Sequence, residues 1–120
     1  MFINFTNHPN AKWSLNQLNN AKTYGDIVDI PFPDISPDGD EEYILQLANQ
    51  YVAEILKYNP ATVLCQGEMT LAFKVANILI YKGINVLATC SKRIATEKIG
   101  ENGETIINAE FHFVRFRKYL

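Results

Sequence analysis

Along the chain, short apolar runs alternate with longer stretches in which apolar residues recur at three and four positions, the pattern of strand followed by helix. Phe2-Ile3-Asn4-Phe5 predicts a strand, halted by the polar turn Thr6-Asn7-His8-Pro9-Asn10. Ser14, with Gln17 three residues on, predicts a capped helix to about Tyr24 carrying Leu15, Leu18 and Ala21, which Gly25 closes. Asp26–Ile30 predicts a second strand, stopped by Pro31 and Pro33, which have no N–H for a ladder bond. A loop follows from Asp34 to Asp40. Asp40 then predicts the cap of a helix whose Glu41 and Glu42 suit its positive end and whose Ile44, Leu47, Ala48, Tyr51, Val52 and Ile55 form one face.

The apolar run Ala61–Cys65 predicts a third strand covered on both faces, followed at once by Gln66-Gly67-Glu68. Thr70 opens a third helix, with Leu71, Val75, Ala76, Ile78 and Leu79 inward and Gly83 at its end, and Ile84–Thr89 gives a fourth strand. Beyond Lys92-Arg93, Ile94–Ile99 and Thr105–Phe116 predict two antiparallel strands around Gly100-Glu101-Asn102-Gly103. Successive strand-helix-strand steps require parallel pairing through right-handed crossovers. The expected fold class is therefore α/β: a Rossmann-like three-layer domain of four mainly parallel strands and three crossover helices, plus a C-terminal antiparallel hairpin. Residues 1–120 form one domain, with a βαβαβαβ core over 1–92 and the hairpin over 93–120.

Composition narrows the function classes. Apolar residues at 48% and charged residues at 20% are ordinary globular usage, and a net charge of −2 offers no broad basic face for long DNA. The two cysteines, Cys65 and Cys90, fit neither a disulfide framework nor paired zinc ligands, and read as small core residues of a protein in the reducing cytoplasm. No stretch reaches the length of a membrane span, and no amino-terminal signal pattern is present. No cofactor and no metal are expected: the histidines are isolated, and the acidic residues from Asp34 to Glu42 lack calcium-loop spacing.

In open parallel sheets ligands bind beyond the carboxyl ends of the strands, where loops converge on helix N-termini. That rule selects Thr6, Asn7 and His8 after the first strand, Gln66, Gly67, Glu68 and Thr70 after the third, and Ser91, Lys92 and Arg93 after the fourth. Their donors suit the oxygens of a small anionic, nucleotide-like ligand. Each has a plainer role. Gly67 either lets a ligand approach or makes a tight turn, and no Rossmann glycine fingerprint or Walker loop accompanies it. His8 is the candidate general acid or base, or a turn histidine. Glu68 is read as favouring a helix N-terminus, and Trp13 as packing rather than base stacking. Lys92 and Arg93 are read as anion clamps, whereas Arg115, Arg117 and Lys118 are read as a solvated terminus.

The segments Phe2-Ile3-Asn4-Phe5-Thr6-Asn7-His8-Pro9, Leu64-Cys65-Gln66-Gly67-Glu68 and Phe113-Val114-Arg115-Phe116-Arg117 resemble small CRISPR-associated proteins of the Rossmann-like CARF superfamily. The resemblance implies a homodimer of antiviral defence that binds a cyclic oligoadenylate second messenger across its two-fold axis. It also implies a ring nuclease that cleaves the messenger without metal, through the ribose 2'-hydroxyl. It places Thr6, Asn7 and His8, Gln66, Gly67 and Glu68, and Ser91, Lys92 and Arg93 in the ligand loops, and assigns no catalytic residue. Two other functions stand beside it: an enzyme acting on a small phosphorylated or carboxylated metabolite through His8, and a non-catalytic dimeric module whose hairpins pair between subunits.

Overall fold

Phe2–Phe5 form β1, whose four residues are all buried because the strand lies inside the sheet with helices over both of its faces. A computed structural model describes all 120 residues. After β1 come a 3₁₀ turn at Asn10–Lys12, α1 at Leu15–Lys22, β2 at Ile27–Asp29, α2 at Glu41–Leu56, β3 at Thr62–Cys65 and α3 at Met69–Tyr81. The chain ends in β4, Asn85–Ile99, and β5, Thr105–Lys118. The fold is mixed α/β, with one five-stranded sheet in the order β2-β1-β3-β4-β5, parallel except for the β4–β5 pair.

The period of two along each strand divides the core. Ile3 and Phe5, Val63 and Cys65, and Val86 face α2 and α3, meeting Val52, Ile55, Leu71, Val75 and Leu79. Phe2, Leu64 and Leu87 face the opposite way, onto Ala21 of α1, Phe116 and the partly buried Trp13. Burying each large apolar side chain of these sets stabilises the fold by about 1.5–3 kcal/mol.

The helix caps follow the local chemistry. Ser14 accepts from the Gln17 N–H at the start of α1, and Asp40 accepts from the Tyr43 N–H at the start of α2. The helix expected to open at Thr70 begins one residue earlier, because Glu68 caps it: its carboxylate accepts from the N–H groups of Thr70 and Leu71. Gly25, at φ 127°, has its Cα turned toward Met1, where an added Cβ would stand 2.9 Å from the Met1 nitrogen. A side chain there would meet both backbone strain and a backbone atom.

The main departure from the sequence reading is at the fourth strand. It does not end at Thr89, and no loop exists at Cys90–Arg93: β4 runs unbroken to Ile99, paired with β5 from Leu87↔Lys118 to Ile99↔Thr105. No glycine or proline lies between Gly83 and Gly100, so nothing in the backbone stops the strand. The only irregularity is a bulge at Cys90/Ser91, where Cys90 faces Arg115, Ser91 faces Phe113 and Val114 is left over. The hairpin is thus not a unit that starts at residue 93; its first strand is the continuation of a core strand. From Ser91 outward it is a two-stranded arm. The molecule measures 55 × 39 × 25 Å, with a radius of gyration of 17.1 Å. A compact chain of this length would have about 14 Å.

Candidate functional site

The chain leaves β1 toward α1 on one face of the sheet and leaves β3 toward α3 on the other, while β1 is the neighbour of both β2 and β3. Diverging connections at such a reversal of strand order open a crevice at the carboxyl ends of the two strands. A cleft of about 720 Å³ lies there. Its floor is Leu64 and Gln66 of the β3 end and Thr6 and His8 of the β1 end; Lys12, Trp13, Ser14, Asn16 and Gln17 form one wall; Thr89, Ser91, Phe111, His112 and Phe113 form the other.

The β1 loop is fixed by a buried side chain. Asn4 donates from Nδ2 to the His8 carbonyl oxygen and to Asp29 Oδ1, both at 2.8 Å. Its Oδ1 accepts from the Thr6 hydroxyl at 2.7 Å, and the Thr6 oxygen accepts from the His8 N–H at 3.1 Å. The Trp13 indole N–H donates to the same His8 carbonyl at 3.0 Å, while its ring meets Phe2 edge-on with centroids 6.2 Å apart. Trp13 therefore packs, as the sequence implies, and lines the cleft as well. The backbone of His8 is held from three directions, which leaves its imidazole as the free part of the residue.

Gln66 extends the sheet past the end of β3. Its Oε1 accepts from the Thr89 N–H at 2.8 Å, taking the place of a further strand residue. This bond leaves both amide N–H donors of Gln66 unclaimed. The first turn of α1 borders the opposite side, where unpaired backbone N–H groups favour an anion. The lining residues include no aspartate or glutamate; Lys12 and His8 offer cationic or protonatable side chains, whereas the alternation that turns Phe111 and Phe113 to the α1 face turns the His112 side chain, with Glu110 and Lys92, to the opposite one. Lys12 is the one lysine or arginine of the lining, in a chain with 13 acidic residues and a net charge of −2. Two nearby carboxylates stand outside the lining: Asp29, which accepts from Asn4 and from the Asn10 N–H behind the β1 loop, and Glu110, whose Oε2 lies 3.0 Å from His112 Nε2.

Of the ten residues expected from sequence, the cleft gathers Thr6, His8, Gln66 and Ser91. Asn7 is exposed and outside the lining. Gly67 serves packing: a Cβ there would come 2.5 Å from the Phe32 ring, itself buried. Glu68 and Thr70 satisfy each other, the Thr70 hydroxyl donating to Glu68 Oε2 at 2.6 Å. That hydrogen bond, with the Thr70 and Leu71 N–H groups, holds the Glu68 carboxyl below its ordinary range and occupies the start of α3. Lys92 and Arg93 lie on the arm, opposite His112 and Phe111, and not in the lining.

Sequence reasoning missed Lys12, Ser14, Asn16, Gln17, Thr89 and, above all, Phe111, His112 and Phe113. The available signal was the absence of any glycine or proline from Asn85 to Ile99: a strand of that length places its antiparallel partner beside the cleft.

The remaining candidates are inert or apolar. Cys65 is buried, its thiol 3.6 Å from the Ala72 carbonyl, and desolvation pushes it up to about 12, which removes it as a nucleophile at neutral pH. Tyr119 donates to the Cys65 carbonyl at 2.9 Å, and burial, with a smaller contribution from Cys65, raises its hydroxyl above the usual value. A second groove, about 440 Å³, runs between α3 and the terminal Tyr119-Leu120, lined by Met69, Ala72, Phe73 and Ile80. It contains no charged side chain. No group of three or more His, Cys, Asp or Glu side chains is placed to hold a metal ion, and no helix is long and apolar enough to cross a membrane.

Comparison with known proteins gives one relationship. The model of the uncharacterized protein MJ1673 family matches residues 1–117. No curated protein and no solved structure matches the chain.

Proposed function

The chain belongs to the uncharacterized protein MJ1673 family, and for this member we propose binding of a cyclic oligoadenylate second messenger in the cleft, followed by cleavage in which a ribose 2'-hydroxyl is the nucleophile. The observation that carries the reading is the lining itself: Lys12, His8, Gln66 and the first turn of α1, with no carboxylate, beside Trp13, Phe111 and Phe113. Cations and N–H donors suit phosphate oxygens, and flat aromatic walls suit bases, since base–aromatic stacking contributes about 1–3 kcal/mol per base. A strand order that reverses at β1/β3, with helices on both faces, fits a Rossmann-like fold used in this way.

A homodimer belongs to the same reading. Beyond the cleft the arm leaves Ile107 61% exposed on one face together with Ile99, Ala95 and Ala109, with Arg93 and Glu97 between them. A second copy would cover that face. Free Cys65 and Cys90 agree with a cytoplasmic protein of antiviral defence. The alternative of a metabolite enzyme acting through His8 alone has less support, because the long cleft with three aromatic residues exceeds what a small acid needs.

Calorimetric titration with cyclic tetra-adenylate and cyclic hexa-adenylate tests the reading. It predicts saturable binding of one of them at micromolar concentration or below, weakened by Gln66→Leu and Lys12→Ala. Absence of heat with both rings, and an unchanged melting temperature, would refute it.

A further inference from the structure

The register of the arm separates two neighbouring cations that the sequence presents as a pair. Directly opposed residues of an antiparallel ladder share a face, and the face changes at each residue along a strand. Ser91 opposes Phe113 and Arg93 opposes Phe111, so Arg93 stands on the α1 face with these lining residues, about 7 Å along β4 from Ser91. Lys92 opposes His112 and belongs to the other face. Phe113 is anchored, its ring centroid 4.9 Å from that of Phe116, whereas Phe111 is 71% exposed and free to receive a planar group. Arg93 is exposed and its guanidinium unclaimed: the one ion pair of the chain joins Glu110 to His112, on the far face. Among the paired residues of the arm, the one carboxylate on the same face as Arg93 is Glu97, about 13 Å further along β4.

We propose that Arg93 forms a second anion station on the arm, so that the cleft takes a ribonucleotide chain with two or more phosphates in preference to a mononucleotide. The inference rests on the nucleotide binding proposed above and adds to it a residue and a minimum length. One phosphate lies at the inner station, among Lys12, the amide donors of Gln66 and the first turn of α1. A base stacks on Phe111, and the phosphate of the next nucleotide reaches the Arg93 guanidinium, whose planar fork grips two oxygens at once. Aromatic platform and cation lie side by side along the wall, the arrangement by which a protein groove follows a nucleic-acid backbone. Lys92, on the other face, has no part in it. Arg93 also borders the apolar face of Ile107, Ile99, Ala95 and Ala109. Covering that face around an unpaired guanidinium is costly, and a ligand phosphate supplies the counter-charge.

Calorimetry on the full chain at fixed salt compares adenosine 5'-monophosphate, 5'-phosphorylated di-adenylate and cyclic tetra-adenylate. Arg93→Gln is expected to weaken the two longer ligands by about tenfold or more, the loss of one bidentate charge-assisted contact, and Lys92→Gln by less than about twofold. Both residues are exposed, so neither replacement disturbs the core. Arg93→Lys, which keeps the charge and loses the fork, should fall between the two. The mononucleotide should bind more weakly than di-adenylate to the native chain and should be indifferent to Arg93→Gln. The steepness of log affinity against log salt should drop by about 0.7 for the ring in Arg93→Gln and hold in Lys92→Gln. Unchanged affinity for the ring in Arg93→Gln would overturn the station, as would equal losses in Arg93→Gln and Lys92→Gln, which would show attraction by the general charge of the arm. A loss of mononucleotide affinity as large as that of the ring would overturn it too, and each of these results leaves the proposed function standing. Failure of the native chain to bind any of the three ligands would overturn the proposed function first, and this inference with it.

Discussion

The side-chain amide of Asn4, 1% exposed in the interior strand β1, donates to the carbonyl oxygen of His8 over 2.8 Å. A core residue thereby sets the position of a loop in the cleft, and the same amide reaches Asp29 of the neighbouring strand. Buried polar groups of this kind are costly when unpaired, so the network is sensitive to removal of any member.

Asn4→Ala is expected to destabilise the fold by about 1–3 kcal/mol, since it leaves the Thr6 hydroxyl and the His8 carbonyl short of a partner. Urea denaturation would measure the loss. Amide exchange at His8 should accelerate by more than the global change requires, because the loop loses its anchor; equal acceleration throughout the chain would contradict that role.

Glu68 gives a pH-dependent prediction. Its folded carboxyl lies below the ordinary 4.5 because the Thr70 hydroxyl and the Thr70 and Leu71 N–H groups favour the charged form. A depressed carboxyl contributes stability that is present above the unfolded value and is lost as pH falls through the folded value. Glu68→Ala should lower the melting temperature by about 4 °C at pH 7, for a cap worth about 1 kcal/mol. The difference from the native chain should shrink below pH 4.5, the ordinary value of this carboxyl. A difference independent of pH would show that the charge is not the stabilising element.

Gly67→Ala should destabilise by about 1–3 kcal/mol, the usual cost of overpacking, because the added methyl meets the buried Phe32 ring at 2.5 Å. Phe32→Leu in the same chain should recover part of the loss in a thermal melt. A ligand-binding glycine would behave differently: stability would hold and affinity would fall.

Much of the fold was legible from residue pattern. Ser14 and Asp40 cap the helices that their side chains announce, and the continuous apolar run at β3 is buried on both faces as its composition implies. The turn at Gly100–Gly103 also lies where expected. The end of β4 was not legible from donor chemistry. Ser91-Lys92-Arg93 reads as a polar loop because its side chains are polar, yet a two-stranded arm has solvent on both faces and accepts polar side chains in a strand. The site was half legible for a related reason. The rule about strand ends finds Thr6, His8 and Gln66, which are close to their strands in sequence. Phe111, His112 and Phe113 reach the cleft only through a pairing with β4 more than ten residues away, and local pattern contains no register.

The central claim is that the cleft at the β1/β3 ends, and not the apolar groove on α3, receives a nucleotide-like anion. Two-dimensional ¹H–¹⁵N NMR during titration with cyclic tetra-adenylate tests it most directly, because the single Trp13 indole N–H gives an isolated signal inside the cleft. The account predicts saturable shifts at the Trp13 indole and at the amides of Thr6, His8, Gln66, Ser91 and His112, with Met69, Phe73 and Leu120 unmoved. Shifts confined to those last three residues, or no shifts at millimolar ligand, would contradict it.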